Sequence, residues 1–119
     1  MIDYVDPIPP VLRFFGPRIP DIKVYGNAIP AQATLPALLV KNAGGNGYTR
    51  LQLLCRADTS SGAMQGLIRA MNIIERYAAE IDGLSVIWCS KESNPIPDID
   101  TDTNEPEAWC YMKLEHLEA

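Results

Sequence analysis

Few side chains in this sequence belong to the kinds that make and break bonds. His116 is the only histidine, and three cysteines stand at positions 55, 89 and 110. A thiolate activated by an imidazole needs a further group to orient the ring and a pocket for the substrate. The sequence points to neither, and His116 is read as a histidine of an edge strand near its end. The acidic run DIDTDTNEPE places Asp98, Asp100 and Asp102 at the first, third and fifth positions of an EF-hand-like calcium loop. The match fails further on, because Thr103 stands where the turn needs glycine, Trp109 stands where a bidentate glutamate should be, and no helices flank the run. It reads as a solvated acidic loop. The glycines of GGNG at 44–47 lack a phosphate-binding lysine and join two strand-like segments rather than a strand and a helix, so they read as a hairpin tip. No metal or cofactor is expected, and no catalytic residue.

The elements around these residues follow from period and punctuation. Seven of the ten prolines fall within residues 1–36. They leave room for one short helical piece near Pro10 to Phe15, in which Val11, Leu12, Phe14 and Phe15 bury one side. The apolar run from Leu35 to Ala43 is a first strand. A second follows from Tyr48 to Ala57, where Leu51, Leu53 and Cys55 alternate with Tyr48, Arg50, Gln52 and Arg56. One face of that strand meets the core and the other meets water or a partner. Asp58, Thr59, Ser60 and Ser61 offer oxygens to a helix start, and Met64, Leu67, Ile68, Met71, Ile74 and Ala78 recur at spacings of three and four. Gly83 closes this long helix. Leu84 to Lys91 is a third strand and Ala108 to Leu117 a fourth, with Cys110, Met112 and Leu114 on one face and Trp109, Tyr111, Lys113 and Glu115 on the other. The expected fold is α+β in two layers: a four-stranded sheet, mixed or antiparallel, with one long helix and a short N-terminal helix packed on one face.

Composition narrows the function classes. A chain of 119 residues that is 47% hydrophobic suits a single domain, here taken as 1–119, with 1–21 as a proline-rich arm or short helix and 92–107 as a long acidic loop. Lys and Arg number 10 against 15 Asp and Glu, a net charge of −5. Nucleic-acid binding rests on clustered cations that neutralise phosphates, so Trp109 and Tyr111 are better suited to a protein contact than to stacking on bases. No apolar run reaches the roughly 20 residues that span a bilayer, and MIDYVDPIPP is not a basic stretch followed by an apolar one. The expectation is a cytoplasmic product without a membrane partner. Three cysteines cannot all pair within the chain, and buried reduced thiols suit that compartment.

Three stretches taken in order carry a resemblance: IKVYGNAIPAQATLPALLVKNAGG, then TRLQLLCRADTSSGAMQGLIRAMNII, then IPDIDTDTNEPEAWCYMKL. The pattern covers roughly residues 22–114 and resembles the tail terminator proteins of long-tailed bacteriophages, also called tail completion or head-tail joining proteins. Its elements are VYG with a proline soon after, a leucine-proline before the first strand, an Arg-x-Gln strand running into an Asp-Ser stretch and a helix, and a Pro-Asp loop before an aromatic last strand. Members tend to open with a longer amphipathic helix, from which the proline-broken start departs.

The resemblance implies a virion protein made and assembled in the host cytoplasm and located at the head-tail junction. It implies a homo-oligomer, a hexameric ring that caps the tail tube, ends tube polymerisation and presents a surface to the head connector or stopper protein, with DNA only passing through. The same ring-forming character fits a head-side stopper or connector adaptor, and a small ligand-binding domain is the further alternative. Six chains would carry about 30 net negative charges, which discourages DNA from adhering to a conduit. Strand parity nominates Tyr48, Arg50, Gln52, Arg56, Trp109 and Tyr111 for the subunit or partner interface. Charge reversal at Arg50 and Arg56 is expected to block assembly and leave the fold intact.

Overall fold

The computed structural model describes residues 4–117. Its elements begin with an 11-residue helix, α1 (Ile8–Arg18), longer than the turn expected around Pro10 to Phe15. Prolines do not shorten it from the front. Pro9 and Pro10 lie in the first turn, where backbone N–H groups have no intrahelical partner, and Asp6 Oδ1 accepts from the Ile8 N–H at 3.0 Å. Pro17 lies one residue before the end, so the chain leaves the helix at once. Val11, Phe14 and Phe15 are buried, the two phenyl rings edge to face at 5.3 Å.

Six strands follow rather than four: β1 (Lys23–Gly26), β2 (Ala37–Asn42), β3 (Thr49–Arg56), β4 (Ser85–Lys91), β5 (Ile96–Ile99) and β6 (Pro106–Leu117). The additional two, β1 and β5, have four residues each. The sheet order is β1-β2-β3-β6-β4, with β5 also on β6. Only β1 and β2 run parallel; the other pairings are antiparallel. β4 pairs with residues 112–117 of β6 and β5 with residues 106–109, so β4 and β5 follow one another along the same side of β6. The segment 92–107 is therefore not wholly loop: it contains β5 and turns through residues 100–105 into β6. Because β3 and β4 flank β6, His116 ends an interior strand and not an edge strand.

Glycine makes the β2–β3 connection possible, since Gly44, Gly45 and Gly47 take φ of +89°, +109° and +78°. At Gly45 a Cβ would stand 2.3 Å from the Tyr48 carbonyl oxygen. The long helix α2 (Ser60–Tyr77) starts at Thr59, whose Oγ1 accepts from the Gly62 N–H at 2.9 Å. It ends in a short 3-10 turn, Ala78–Glu80.

Both helices lie on one face of the sheet. The core gathers Val11, Phe15 and Ile19 with Leu67, Ala70 and Ile74 of α2 over Leu38, Val40, Leu51, Leu53, Cys110, Met112 and Leu114. Gly66 lets α2 approach β3, for a Cβ there would meet Cys55 Sγ at 2.6 Å. Ile68, expected on the buried stripe, is 40% exposed; the stripe runs instead through Ala63, Leu67, Ala70, Met71 and Ile74. Cys55, Cys89 and Cys110 are buried and unpaired.

Candidate interaction surface

Among the described residues no helix covers the second face of the sheet, and all six residues nominated by strand parity belong to it. Cross-strand pairing arranges this face in rows. One row is apolar: Tyr25 of β1 lies beside Leu39 of β2, Leu39 beside Leu54 of β3, Leu54 beside Trp109 of β6, and Trp109 beside Ile96 of β5. Leu39 is buried, Tyr25, Leu54 and Trp109 are half-buried, and Ile96 is exposed. Trp109 and Tyr111 meet edge to face at 5.3 Å, and Gln52 sits between Lys41 and Tyr111 in the next row.

The two arginines of this face are bound within the chain. Arg50 donates from Nε and Nη2 to the two oxygens of Glu92, at 2.8 and 3.2 Å, and from Nη2 to Tyr48 Oη at 3.1 Å. Its guanidinium lies over the Tyr111 ring, and the Lys113 ammonium lies over Tyr48. The hydrogen bonds from Arg50 hold the Glu92 carboxyl below its ordinary value of 4.5, against the opposing pull of desolvation. Arg56 is more deeply set. Its Nε and Nη2 both reach Glu107 Oε2, at 2.8 and 2.7 Å, and Nη2 lies 3.5 Å from Asp100 Oδ1. The Arg56 side chain is 13% exposed and Glu107 8%. Reversing the charge of Arg56 would bring a third carboxylate to Glu107 and Asp100, so that substitution tests the fold before it tests an interface, contrary to the expectation for the double reversal.

The acidic loop also has internal work. Asp100 Oδ2 accepts from the Thr103 hydroxyl at 2.7 Å and from its N–H at 2.9 Å, and these bonds hold the Asp100 carboxyl below its ordinary value. Among the described residues no three His, Cys, Asp or Glu side chains are gathered as a metal site. Burial pushes the Cys55 thiol up to about 11 and those of Cys89 and Cys110 up to about 12, the reverse of what an activated nucleophile needs. His116 Nε2 is 3.1 Å from Thr49 Oγ1, which gives the imidazole a packing partner inside the sheet.

Strand parity identified the face but missed its margins. Of the seven large hydrophobic residues exposed among those described, four lie on β4 and β5: Ile87 at 63%, Trp88 at 59%, Ile96 at 39% and Ile99 at 55%. The register of β4 against β6 shifts between Val86 and Trp88, leaving Ile87 as the extra residue of a bulge. Beside this edge a shallow hollow, lined in part by Glu75, Arg76, Ile87 and Trp88, separates β4 from the end of α2. Nothing in the alternation of LSVIWCSK marks that exposure. Glu107, by contrast, shares the parity of Trp109 and Tyr111, a signal that could have paired it with Arg56. Compared with protein-family models and with curated proteins, the chain matches none of them.

Proposed function

We propose that this chain is a structural subunit that assembles into a ring at the end of a bacteriophage tail tube, where the ring stops tube growth and offers a surface to the head. The observation that carries the reading is the set of exposed large apolar side chains on one margin of the sheet, Ile87 and Trp88 on β4 and Ile96 and Ile99 on β5. Trp88 stands opposite Glu115 and Ile96 opposite Trp109 of β6, so the margin carries two separate exposed apolar pairs, and such side chains concentrated on one margin suit a surface made to be covered. The opposite margin of the sheet, β1, is of different composition, with Lys23 exposed and Val24 and Tyr25 half-buried. Two unlike surfaces on opposite sides of one subunit suit head-to-tail association, which closes as a ring when the rotation per subunit permits. The open sheet face remains available to the proteins above and below. The task is assembly and involves no bond-breaking step.

The test is electron microscopy of particles produced when the gene is disrupted, with the protein supplied in a parallel culture. Filled heads beside overlong or ragged tails, corrected by the added protein, support termination and joining. Tails of normal length beside heads that have lost their DNA move the protein to the head side of the junction. Intact infectious particles refute the structural role.

A further inference from the structure

Resting on the ring reading above, the geometry points to a specific head-to-tail contact: the acidic β5–β6 hairpin of one copy docks on the Lys23 margin of the sheet in the next copy. The argument begins with the charges of the open face. Its interior charges are neutralised within the chain, Arg50 by Glu92, Arg56 by Glu107 and Lys113 by Glu115. Uncompensated charge is left at the two margins, and the signs are opposite. Lys23 of β1 and Lys41 of β2 are exposed and belong to none of the ion pairs among the described residues, which run from Arg18–Glu80 to Lys113–Glu115. Across the sheet, Asp98, Asp102 and Glu105 are likewise outside every such pair, while Asp100 between them is held by Arg56.

The rows match in order as well as in sign. Lys23, Ala37, Arg56, Glu107 and Asp98 form one row across β1, β2, β3, β6 and β5. The neighbouring row is Tyr25, Leu39, Leu54, Trp109 and Ile96. Each row spans about 19 Å at the usual strand spacing. A second copy set beside the first in the same orientation therefore brings Asp98 toward Lys23 and Ile96 toward Tyr25 at once. The two-residue step between charged and apolar rows is the same on both margins. This correspondence is what selects a second copy as the occupant. Pro97 within β5, and Pro95 just before it, have no N–H to donate, so the hairpin does not extend the neighbour's sheet by a backbone ladder. The contact is made by side chains, with Ile96 as its apolar part and the carboxylates as its steering part. Such a contact weakens with salt, because exposed charges are screened within about 10 Å at 0.1 M.

The experiment uses the full chain and two charge-swapped variants, Lys23→Glu and Asp98→Lys, each checked for folding by circular dichroism. Sedimentation velocity reads their assembly. Each variant alone carries the same sign at both ends of the Lys23–Asp98 row, and its association constant is expected to fall about tenfold. Mixed in equal amounts, the two variants restore opposite signs at every contact and re-form rings of alternating composition with an even number of subunits. Rings formed equally well by the wild type and by each swapped variant overturn this contact and leave the ring reading standing. Folded variants whose mixture fails to assemble also overturn it. A wild-type chain that stays monomeric at high concentration and in the presence of tail tubes overturns the ring reading and the contact together.

Discussion

Removing the Arg56 guanidinium should destabilise the fold far more than its position on the open face suggests. Both of its bonded nitrogens reach one oxygen of Glu107, at 2.8 and 2.7 Å, and the pair is 13% and 8% exposed. Arg56→Met leaves the Glu107 carboxylate nearly out of water without its counter-ion and with Asp100 close by. Breaking a buried pair from one side costs about 3–5 kcal/mol, and residual solvent access here argues for about 3. In a chain of this length that corresponds to a fall in Tm of about 10–15 °C, at about 4 °C for each kcal/mol. Arg56→Met/Glu107→Leu removes both charges and should return to within about 1 kcal/mol of the wild type. Urea unfolding at pH 7, followed by tryptophan fluorescence, measures all three proteins. A single substitution costing less than about 1 kcal/mol, or a double costing as much as the single, would refute the reasoning.

The remaining predictions use the same assay or a simple chemical one. Glu92→Gln should lower stability at neutral pH, and the difference from the wild type should close as pH falls below the unfolded value of about 4.5 and through the lower folded pKa, since a depressed carboxyl contributes its stability only while ionised. A difference that persists unchanged at pH 2 would remove Arg50 as the cause. Gly66→Ala should shift the urea midpoint downward by a net of about 1–2 kcal/mol, because the close approach to Cys55 Sγ outweighs the gain in helix propensity, and Gly66→Ala/Cys55→Ala should recover most of it. With thiols buried and pushed up to about 11 and 12, the native protein at pH 8 should resist alkylation that modifies all three cysteines in denaturant. Fast labelling of a single native thiol would point to an exposed site.

Where a segment buries one side and exposes the other, its sequence announces the fact. The β3 strand alternates buried and half-buried through all eight residues, and the same parity holds along β6 from Ala108 to Leu114. The helix start at Thr59 and the positive φ angles of Gly44, Gly45 and Gly47 were equally legible, since each depends on chemistry local to the turn. β1 and β5 carried no such signal. KVYG runs exposed and then half-buried, and all four residues of IPDI are exposed, so neither strand has the two-residue period that arises when one face meets a core. Prolines on both sides of β1 and inside β5 reinforced a loop reading. α1 was underestimated for a related reason: a proline in the first helical turn removes no bond, and the sequence rule against proline is strict only in the interior.

Parity assigns side chains to faces, but only pairing order assigns strands to edges. This is why the residues nominated for assembly fell on the open face while the most exposed apolar side chains lie along its margin. Arg50 and Arg56 were attractive as unpaired cations on a water-facing strand, yet their partners, Glu92 and Glu107, come from segments 42 and 51 residues away in sequence. Once those long-range pairs form, the face keeps its shape through internal charge and has little net sign of its own to recruit a partner. The charges left over are those that no neighbouring strand is present to answer, and such charges occur where the sheet ends. Lys23 and Asp98 share a row but cannot meet within one chain, with three strands between them. In the proposed head-to-tail contact they would meet. The same intramolecular pairing that makes the open face a poor recruiter therefore concentrates unsatisfied charge at the two margins through which a ring would close.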